Sequence, residues 1–246
     1  MIGPGTRVLV TGGSSGIGAA TVEAFTARGC RVVAVGRDAR ALDDVARCTG
    51  ATPHVADLAD PQTVTLLVEE VGEVDVLVAA AGLGWAGHVT DMAADELDAL
   101  VRVNVLAPMR LTRAVLPGMV RRRRGHLVFV SSIAGHMAVE HEAVYSATKA
   151  AVNVLAASVR HEVADHGVGV SVVVPGVVDT PFFARRGVPY TRRLPRPVPA
   201  SAVAAGIVRA VDRGRTEVFV PRWLRLPARL RGAAPGLTDA LQRRFG

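Results

Sequence analysis

The chain has 246 residues, half of them apolar, which excludes a disordered protein and favours one large α/β domain. The longest apolar run, residues 76–87, reaches only about half of a membrane span, and the N-terminus lacks a basic stretch followed by a long apolar one, so neither a membrane helix nor a secretory signal is expected. The net charge is +7, but 14 Arg against three acidic residues fall in residues 185–246 and residues 1–184 are net negative, which argues against a uniformly basic nucleic-acid binder.

Short valine-rich runs alternate with longer segments of helical periodicity along the chain. The runs predict buried strands at residues 7–11, 31–35, 54–56, 74–79, 126–131, 168–174 and 217–220. The segments between them predict helices at 17–28, 38–48, 61–71, 94–120 and 144–166. This alternation predicts a single doubly wound α/β domain, with a parallel sheet of about seven strands and helices on both faces.

A glycine-rich turn with GxxxGxG spacing follows the first strand and opens the first helix. Its glycines allow a tight turn and a close approach of the backbone to a phosphate, and the helix N-terminus offers free N–H groups. The turn therefore predicts a dinucleotide pyrophosphate site, with a plain βα turn as the alternative. The residues expected at the phosphates are Gly12, Ser14, Ser15, Gly16, Ile17 and Gly18.

The end of the second strand bears on which dinucleotide binds. A carboxylate there bonds the ribose 2′-hydroxyl of NAD, whereas an arginine accommodates the 2′-phosphate of NADP. The strand ends without a carboxylate and Arg37 follows at once, so we predict NADP(H) in preference to NAD(H). Ser14 and Ser15 could add hydroxyl contacts to the same phosphate. The alternative is a solvated Arg37 that pairs with Asp38.

Tyr145 and Lys149 are spaced i, i+4 in a predicted helix, which places the phenol and the ammonium on one face. A nearby cation favours phenolate, so we expect Lys149 to lower the pKa of Tyr145 and to make it a general acid and base near neutral pH. Lys149 is the only lysine among 29 basic residues, and its compact ammonium differs in kind from a guanidinium. A surface lysine on an amphipathic helix is the alternative interpretation.

Together with motifs further along the chain, these features resemble the classical short-chain dehydrogenase/reductase (SDR) family, over nearly the whole sequence. The resemblance implies a Rossmann-type fold and an NADP(H)-dependent carbonyl reductase or alcohol dehydrogenase. It also implies a homodimer or homotetramer paired through helices 94–120 and 144–166. The matching residues are 11–18, Asp57, Leu58, Ala81, Gly82, Asn104, Ser131, Ser132, 145–149, Pro175, Gly176 and Thr180.

The resemblance implies a role for each matching residue. Tyr145 gives the proton in reduction and takes it in oxidation, and Lys149 holds the nicotinamide ribose. Ser132 bonds the substrate carbonyl. Asn104 anchors a water relay to Lys149, unless it is a capping or core-edge amide. The remaining contacts with the cofactor are implied for Asp57, Leu58, Ala81, Gly82, Tyr145, Lys149, Pro175, Gly176, Val178 and Thr180.

Two positions are ambiguous within this family pattern. Asp57 resembles the residue that bonds the adenine amine, but it could also be the N-cap of the following helix. The usual NNAG after the fourth strand reads Ala-Ala-Ala-Gly at residues 79–82. We therefore expect weaker local order there, with cofactor binding intact.

The segment 180–200 follows the carboxyl end of a strand, where open α/β sheets bind their ligands, and is predicted to be a substrate loop. Arg185, Arg186, Arg192 and Arg193 suggest an anionic substrate, such as an acyl thioester on an acidic carrier, or simple solvation. Phe182 and Phe183 suggest a hydrophobic substrate body instead, and the sequence leaves both open. Further candidates for the pocket, or for an exposed loop, are His136, Glu140, His141 and Glu142.

The domain is predicted to span residues 1–221, followed by a basic tail at 222–246. Leu237, Leu241 and Phe245 form one helical stripe in this tail. The stripe predicts packing on the domain or on a neighbouring subunit, or a weak contact with an anionic membrane surface.

Cys30 and Cys48 form no CxxC pair and fit a reducing compartment, so a cytoplasmic protein is expected, with a peripheral position at the membrane as the alternative. The seven histidines show no HxxxH or HExxH spacing, so no metal is predicted. The expected partner is a small carbonyl or alcohol substrate, and no nucleic acid. A non-catalytic NADP-binding sensor or scaffold is the alternative function, and the intact Ser132, Tyr145 and Lys149 argue against it.

Overall fold

The computed structural model describes residues 2–191 and 193–236. The strands in this part of the chain are β1 (Arg7–Thr11), β2 (Arg31–Gly36), β3 (Thr52–Val55), β4 (Val76–Ala79), β5 (Gly125–Val130), β6 (Val168–Pro175), β7 (Val178–Asp179), β8 (Val198–Pro199) and β9 (Glu217–Val220). The helices are α1 (Gly16–Thr26), α2 (Ala39–Thr49), α3 (Pro61–Val71), α4 (Ala94–Val101), α5 (Ala107–Arg122), α6 (Ala143–Glu162), α7 (Phe182–Arg185), α8 (Ala200–Asp212) and α9 (Arg225–Ala233).

Seven parallel strands form one sheet in the order β3-β2-β1-β4-β5-β6-β9, which confirms the predicted doubly wound sheet. The order reverses between β1 and β4, so the connections that leave these two strands diverge at their carboxyl ends. Such a switch point opens a crevice at that edge of the sheet. The short β7 and β8 pair with each other outside the main sheet, β7 just before the predicted substrate loop and β8 near its end.

The sheet is buried on both faces because alternate residues of each strand point to opposite sides. Leu9 belongs to one core cluster, with residues of α3, α5 and α6, whereas Val8 and Val10 belong to a second cluster, with residues of α1, α2 and α8. The helix α8 was not predicted. The helical spacing of its buried Val203, Ile207 and Ala210 is the signal that would have found it.

The predicted helix 94–120 is interrupted in the structure. A wide π-helical turn, Arg102–Leu106, separates α4 from α5 and contains Asn104. Pro108 explains the interruption, since it has no N–H to donate to the carbonyl of Asn104, and its ring would clash with that carbonyl in a regular α-helix. The turn therefore lies where the predicted site needs Asn104.

The beginning of the predicted tail packs against the domain. Leu224 is buried in the core cluster with Ala228 of α9, whereas Leu226 is 75% exposed. The stripe of Leu237, Leu241 and Phe245 lies outside the described residues. Among the helices of the described ranges, none combines the length and hydropathy that spanning a bilayer requires.

Candidate active site

A cleft of about 1370 Å³ runs along the carboxyl edge of the sheet, from the glycine-rich turn to the loop that contains α7. All of the predicted site residues except Asn104 line this cleft. The motifs come together because parallel strands end at the same edge of a sheet.

The glycine-rich turn is packed too closely for side chains. Gly12 has a φ of 68°, and a Cβ added to it would lie 2.9 Å from the Cα of Ala81. A Cβ on Gly18 would lie 2.0 Å from the carbonyl oxygen of Gly12. Ser15 precedes α1 without capping it through its side chain. The uncapped N–H groups of α1 and the bare backbone around them fit a pyrophosphate.

Arg185 contacts this turn from the far side of the cleft. Its guanidinium Nη1 donates to the Ser15 hydroxyl at 2.9 Å. A cation beside the positive N-terminal end of a helix is unfavourable unless an anion lies nearby. Sequence reasoning placed Arg185 with the substrate, because only the folding of α7 against the turn brings these residues together. No spacing in the sequence signals this contact.

The end of β2 lies beside the turn. A Cβ added to Gly36 would lie 3.1 Å from the Ser14 hydroxyl oxygen, so these two segments are in contact. Asp38 accepts a hydrogen bond from the backbone N–H of Ala41 at 3.0 Å and caps α2. The Asp38 carboxylate is thus engaged at the helix, and Arg37 lines the cleft as an exposed side chain.

Asp57 lines the cleft after β3 and accepts a hydrogen bond from the N–H of Ala59 at 3.0 Å. The alternative role as the N-cap of the following helix is wrong for Asp57. Asp60 caps α3 instead, by accepting from the N–H of Gln62 at 2.9 Å.

The alanine-rich turn after β4 is held by Thr11. The Thr11 hydroxyl oxygen accepts hydrogen bonds from the N–H groups of Ala80 and Ala81, both at 3.1 Å. It also donates to the carbonyl of Val78. The expectation of weaker local order is not supported at these residues, because a buried hydroxyl from β1 satisfies both amides.

Tyr145 and Lys149 lie buried on the inner face of α6. Burial raises the pKa of Tyr145 to about 12, more than the nearby Ser132 hydroxyl and Arg186 lower it. Burial also lowers the pKa of Lys149 to about 8. The expectation that Lys149 lowers the pKa of Tyr145 is therefore wrong for these side chains alone. Removing the phenolate from water raises the pKa by more than the neighbouring groups lower it.

The position of Lys149 is set by one backbone contact. Its Nζ donates to the carbonyl of Val130 at 3.0 Å, and it lies 5.8 Å from the centre of the Tyr145 ring. The ammonium has three hydrogens, so this bond leaves donors for a ligand in the cleft.

The two serines at the end of β5 differ in their contacts. Ser131 donates to the backbone carbonyl of Lys149 at 3.3 Å. Ser132 accepts from the N–H of Ala134 at 3.2 Å, which leaves its own proton available, and it lies close enough to Tyr145 to lower the pKa of the phenol. The contacts favour Ser132 over Ser131 as the group that faces a substrate.

The Asn104 side chain forms hydrogen bonds with Leu83 and Thr148. Its Oδ1 accepts from the N–H of Leu83 at 2.8 Å, and its Nδ2 donates to the Leu83 carbonyl at 2.9 Å and to the Thr148 hydroxyl at 3.1 Å. It therefore ties the turn after β4 to α6.

The opposite end of the cleft is walled by aromatic rings. The Phe182 ring centre lies 5.6 Å from those of Tyr145 and Phe183, and Phe183 lies 5.5 Å from Tyr190. Arg186 stacks 4.6 Å above Phe183 and forms an ion pair with Glu142.

The other polar candidates separate in the structure. Glu140 and His141 line the cleft, whereas His136 packs against Phe219 and lies 3.6 Å from Glu217 of β9. Arg193 is exposed, and Arg192 lies outside the described residues. Within residues 2–191 and 193–236, no three His, Cys, Asp or Glu side chains form a group that could hold a metal ion.

The sequence is similar to those of known proteins. The family profile described as short chain dehydrogenase matches residues 6–188. A Bos taurus protein, Dehydrogenase/reductase SDR family member 7B, is 35% identical over 188 residues, covering 70% of this chain and 58% of that protein. The chain thus spans less than two thirds of that relative's length. An uncharacterized oxidoreductase of Myxococcus xanthus is 34% identical over 247 residues, covering 96% of each protein.

Solved structures share the architecture along nearly the whole chain. A short-chain dehydrogenase from Sphingobium yanoikuyae in complex with NADPH has a TM-score of 0.83 at 29% identity and covers 95% of both chains. A short-chain dehydrogenase/reductase from Burkholderia phymatum in complex with NAD has a TM-score of 0.84 at 24% identity and covers 96% of both. The second likeness concerns the fold alone.

Proposed function

The chain belongs to the short-chain dehydrogenase family, and from this premise we propose that it is an NADP(H)-dependent carbonyl reductase or alcohol dehydrogenase. The observation that carries the proposal is the convergence of Ser132, Tyr145 and Lys149 in the cleft that begins at the glycine-rich turn. A hydroxyl donor, a phenol and an ammonium at one point suit a carbonyl that becomes an alcohol.

NADPH supplies the hydride that adds to the carbonyl carbon of the substrate. The Ser132 hydroxyl donates a hydrogen bond to the carbonyl oxygen and stabilises the negative charge that develops there. Tyr145 then gives its proton to that oxygen. A phenol whose pKa is about 12 stays protonated at neutral pH, which suits the proton donor in reduction more than the base in oxidation.

Lys149 and the glycine-rich turn bind the cofactor in this proposal. With a pKa of about 8, Lys149 is mostly an ammonium at neutral pH and can donate to ribose hydroxyls. The uncapped N-terminus of α1 binds the pyrophosphate. The rest of the nucleotide lies along the cleft, which is lined there by Asp57, Leu58, Ala81, Gly82, Pro175, Gly176, Val178 and Thr180.

The preference for NADP(H) rests on Arg37. Asp38, the carboxylate nearest to it in sequence, caps α2, so Arg37 is available to a 2′-phosphate at the mouth of the cleft. The similar protein from Sphingobium yanoikuyae is in complex with NADPH, which supports this preference.

Assembly and location are further parts of the proposal. We infer a homodimer or homotetramer that pairs through α5 and α6, where Met109 and Val154 are exposed apolar side chains. The basic segment from residue 222 onward exposes Trp223 and Leu226 and suits a weak contact with an anionic membrane surface. A cytoplasmic location fits the two free cysteines.

The test is NADPH oxidation over a panel of ketosteroids, β-ketoacyl thioesters, quinones and simple aldehydes, with Tyr145→Phe as the comparison. The variant is expected to lose at least about a thousand-fold in kcat, because it lacks the phenolic proton that the mechanism transfers. Its Kd for NADPH, measured by calorimetry, is expected to stay within about two-fold of the wild type, since the hydroxyl is not needed at the phosphates.

Wild-type kcat in Tyr145→Phe would contradict the mechanism. Tight binding of NADPH without turnover across the whole panel would instead support the sensor or scaffold function.

A further inference from the structure

A buried ion pair lies at the substrate end of the cleft. Arg186 follows α7 and Glu142 precedes α6, and their side chains are only 9% and 15% exposed. Both residues line the cleft. Two opposite charges withdrawn from water in this way stabilise each other, and each becomes costly if its partner is removed.

The pair lies close to the proposed proton donor. Glu142 is three residues before Tyr145 in the chain, and its charge raises the pKa of the phenol while that of Arg186 lowers it. Phe182 is the first residue of α7, and the centre of its ring lies 5.6 Å from the centre of the phenol ring of Tyr145. The ion pair therefore lies near the space that a substrate carbonyl occupies when it reaches Tyr145.

The guanidinium of Arg186 is engaged on several sides. Its Nη1 donates to the Glu142 carboxylate, its Nε donates to the carbonyl of Val188 at 3.1 Å, and one face stacks on the Phe183 ring at 4.6 Å. An anionic group that binds the remaining hydrogens of this guanidinium must lie beside the Glu142 carboxylate. That carboxylate already neutralises Arg186 and would repel the anion.

The other basic side chains of the cleft are directed elsewhere. Of those in the described ranges, Arg185 bonds Ser15 at the phosphate turn, Arg37 follows β2, and Lys149 bonds Val130. The aromatic wall of Phe182, Phe183 and Tyr190 faces the same space. The substrate end thus offers rings and a neutralised ion pair, and Glu140 adds a further carboxylate to the lining of the cleft.

We propose that the buried Arg186–Glu142 ion pair selects uncharged, hydrophobic carbonyl substrates and excludes anionic ones, an inference that rests on the proposed function. It decides between the two substrate classes that the sequence leaves open. Arg185 and Arg186 do not recognise a substrate anion in this proposal, because Arg186 is neutralised by Glu142 and Arg185 reaches the nucleotide side of the cleft.

The experiment compares two aldehydes that differ only in charge, methyl 4-formylbenzoate and 4-formylbenzoate, with NADPH as the reductant. The wild-type kcat/KM is expected to be at least about ten-fold higher for the ester, because the acid brings a carboxylate against Glu142. Glu142→Gln removes that repulsion and leaves Arg186 unpaired. The variant is expected to shift the ester-to-acid ratio toward the acid by about ten-fold or more.

A double variant and a surface variant are the controls. Glu142→Gln combined with Arg186→Met removes both the repulsion and the cation, so its ester-to-acid ratio is expected to lie between those of the wild type and of Glu142→Gln. This keeps the test valid if Glu142→Gln alone folds poorly. Glu69→Gln makes the same change at an exposed carboxylate on α3 and is expected to leave the ratio unchanged.

A wild-type preference for the acid would overturn the inference while leaving the proposed function intact. An unchanged ratio in Glu142→Gln, or a double variant whose ratio equals that of the wild type, would also overturn it. If the protein reduces neither aldehyde and no carbonyl compound of the panel, the proposed function and this inference are both overturned.

Discussion

Arg185 and Arg186 are adjacent in the chain but contact opposite ends of the cleft. Arg185 donates to Ser15 at the phosphate turn, and Arg186 pairs with Glu142 near Tyr145. The same residue type thus has two environments, one exposed beside a helix N-terminus and one buried against a carboxylate. A count of arginines in this loop does not distinguish them, because each role depends on a partner more than forty residues away.

Variants of Arg37 and Arg185 should show which arginine binds the 2′-phosphate and which binds the pyrophosphate. Arg37→Asp is expected to weaken NADPH binding by about ten- to hundred-fold and to leave NADH binding nearly unchanged, because only NADPH carries the 2′-phosphate. Arg185→Met is expected to weaken both by about ten-fold, because the pyrophosphate is common to both. The measurement is the Kd of each nucleotide by calorimetry.

Arg213→Met is the matched control for these two variants, since Arg213 is an exposed arginine at the end of α8. Its Kd values should equal those of the wild type. If Arg37→Asp leaves the ratio of the two Kd values unchanged, Arg37 has no role at the 2′-phosphate. If Arg185→Met affects NADPH alone, Arg185 binds the 2′-phosphate and not the pyrophosphate.

At the scale of the elements, the sheet holds polar groups as well as valines. His126 of β5 and Ser171 of β6 are buried, with the His126 Nε2 2.7 Å from the Ser171 hydroxyl oxygen. Ser171 donates to the Arg215 carbonyl at 2.6 Å, just before β9, so its hydroxyl proton is engaged and it accepts from a neutral His126. These hydrogen bonds join β5, β6 and the segment just before β9, and they require an uncharged His126.

Burial lowers the pKa of His126 from 6.5 to about 4. The unfolded chain therefore binds a proton before the folded protein does as the pH falls through 6.5. The resulting stability is complete above that pH and is lost as the pH falls to about 4. The loss amounts to about 2–3 kcal/mol near pH 4.5.

Urea unfolding at neutral pH and near pH 4.5 tests this contribution. His126→Gln should be less stable than the wild type at neutral pH, but should lose less of its free energy of unfolding on acidification. His161→Gln, at an exposed position of α6, should follow the wild type. Equal acid sensitivity in wild type and His126→Gln would show that another group is responsible.

At the scale of the whole molecule, the C-terminal segment supports the cofactor side of the cleft. Leu224 is 5% exposed, and its Cδ1 would lie 2.8 Å from a Cβ added to Gly176. The core that includes Leu224 also contains Leu9 of β1, so the predicted tail and the first strand share one cluster. The hydrophobic core of the domain therefore includes residues beyond 221.

Two leucines in this segment allow a matched comparison. Leu224→Ala is expected to lower the free energy of unfolding by about 2–4 kcal/mol through a cavity in the core, and to weaken NADPH binding because Gly176 loses its support. Leu226→Ala makes the same change where the side chain is 75% exposed, and should alter stability by less than about 0.5 kcal/mol. Urea unfolding and calorimetry measure the two effects, and similar losses in both variants would contradict this packing.

The sequence by itself determined the features that depend on local order. Valine runs and helical periodicity predicted the strands of the sheet and five of its helices, since burial on both faces or on one face imposes those patterns on neighbouring residues. The glycine-rich turn and the spacing of Tyr145 and Lys149 are also local, and the structure brings them to one cleft.

Only the tertiary structure decided the partners and the protonation of the site. The contacts of Arg185 with Ser15 and of Asn104 with Leu83 join distant segments, so no local spacing records them. The pKa of Tyr145 depends on how completely α6, α7 and β5 exclude water, and burial outweighs the neighbouring charges that the sequence suggested. Desolvation is a property of the assembled fold, and for that reason the sequence predicted the wrong direction.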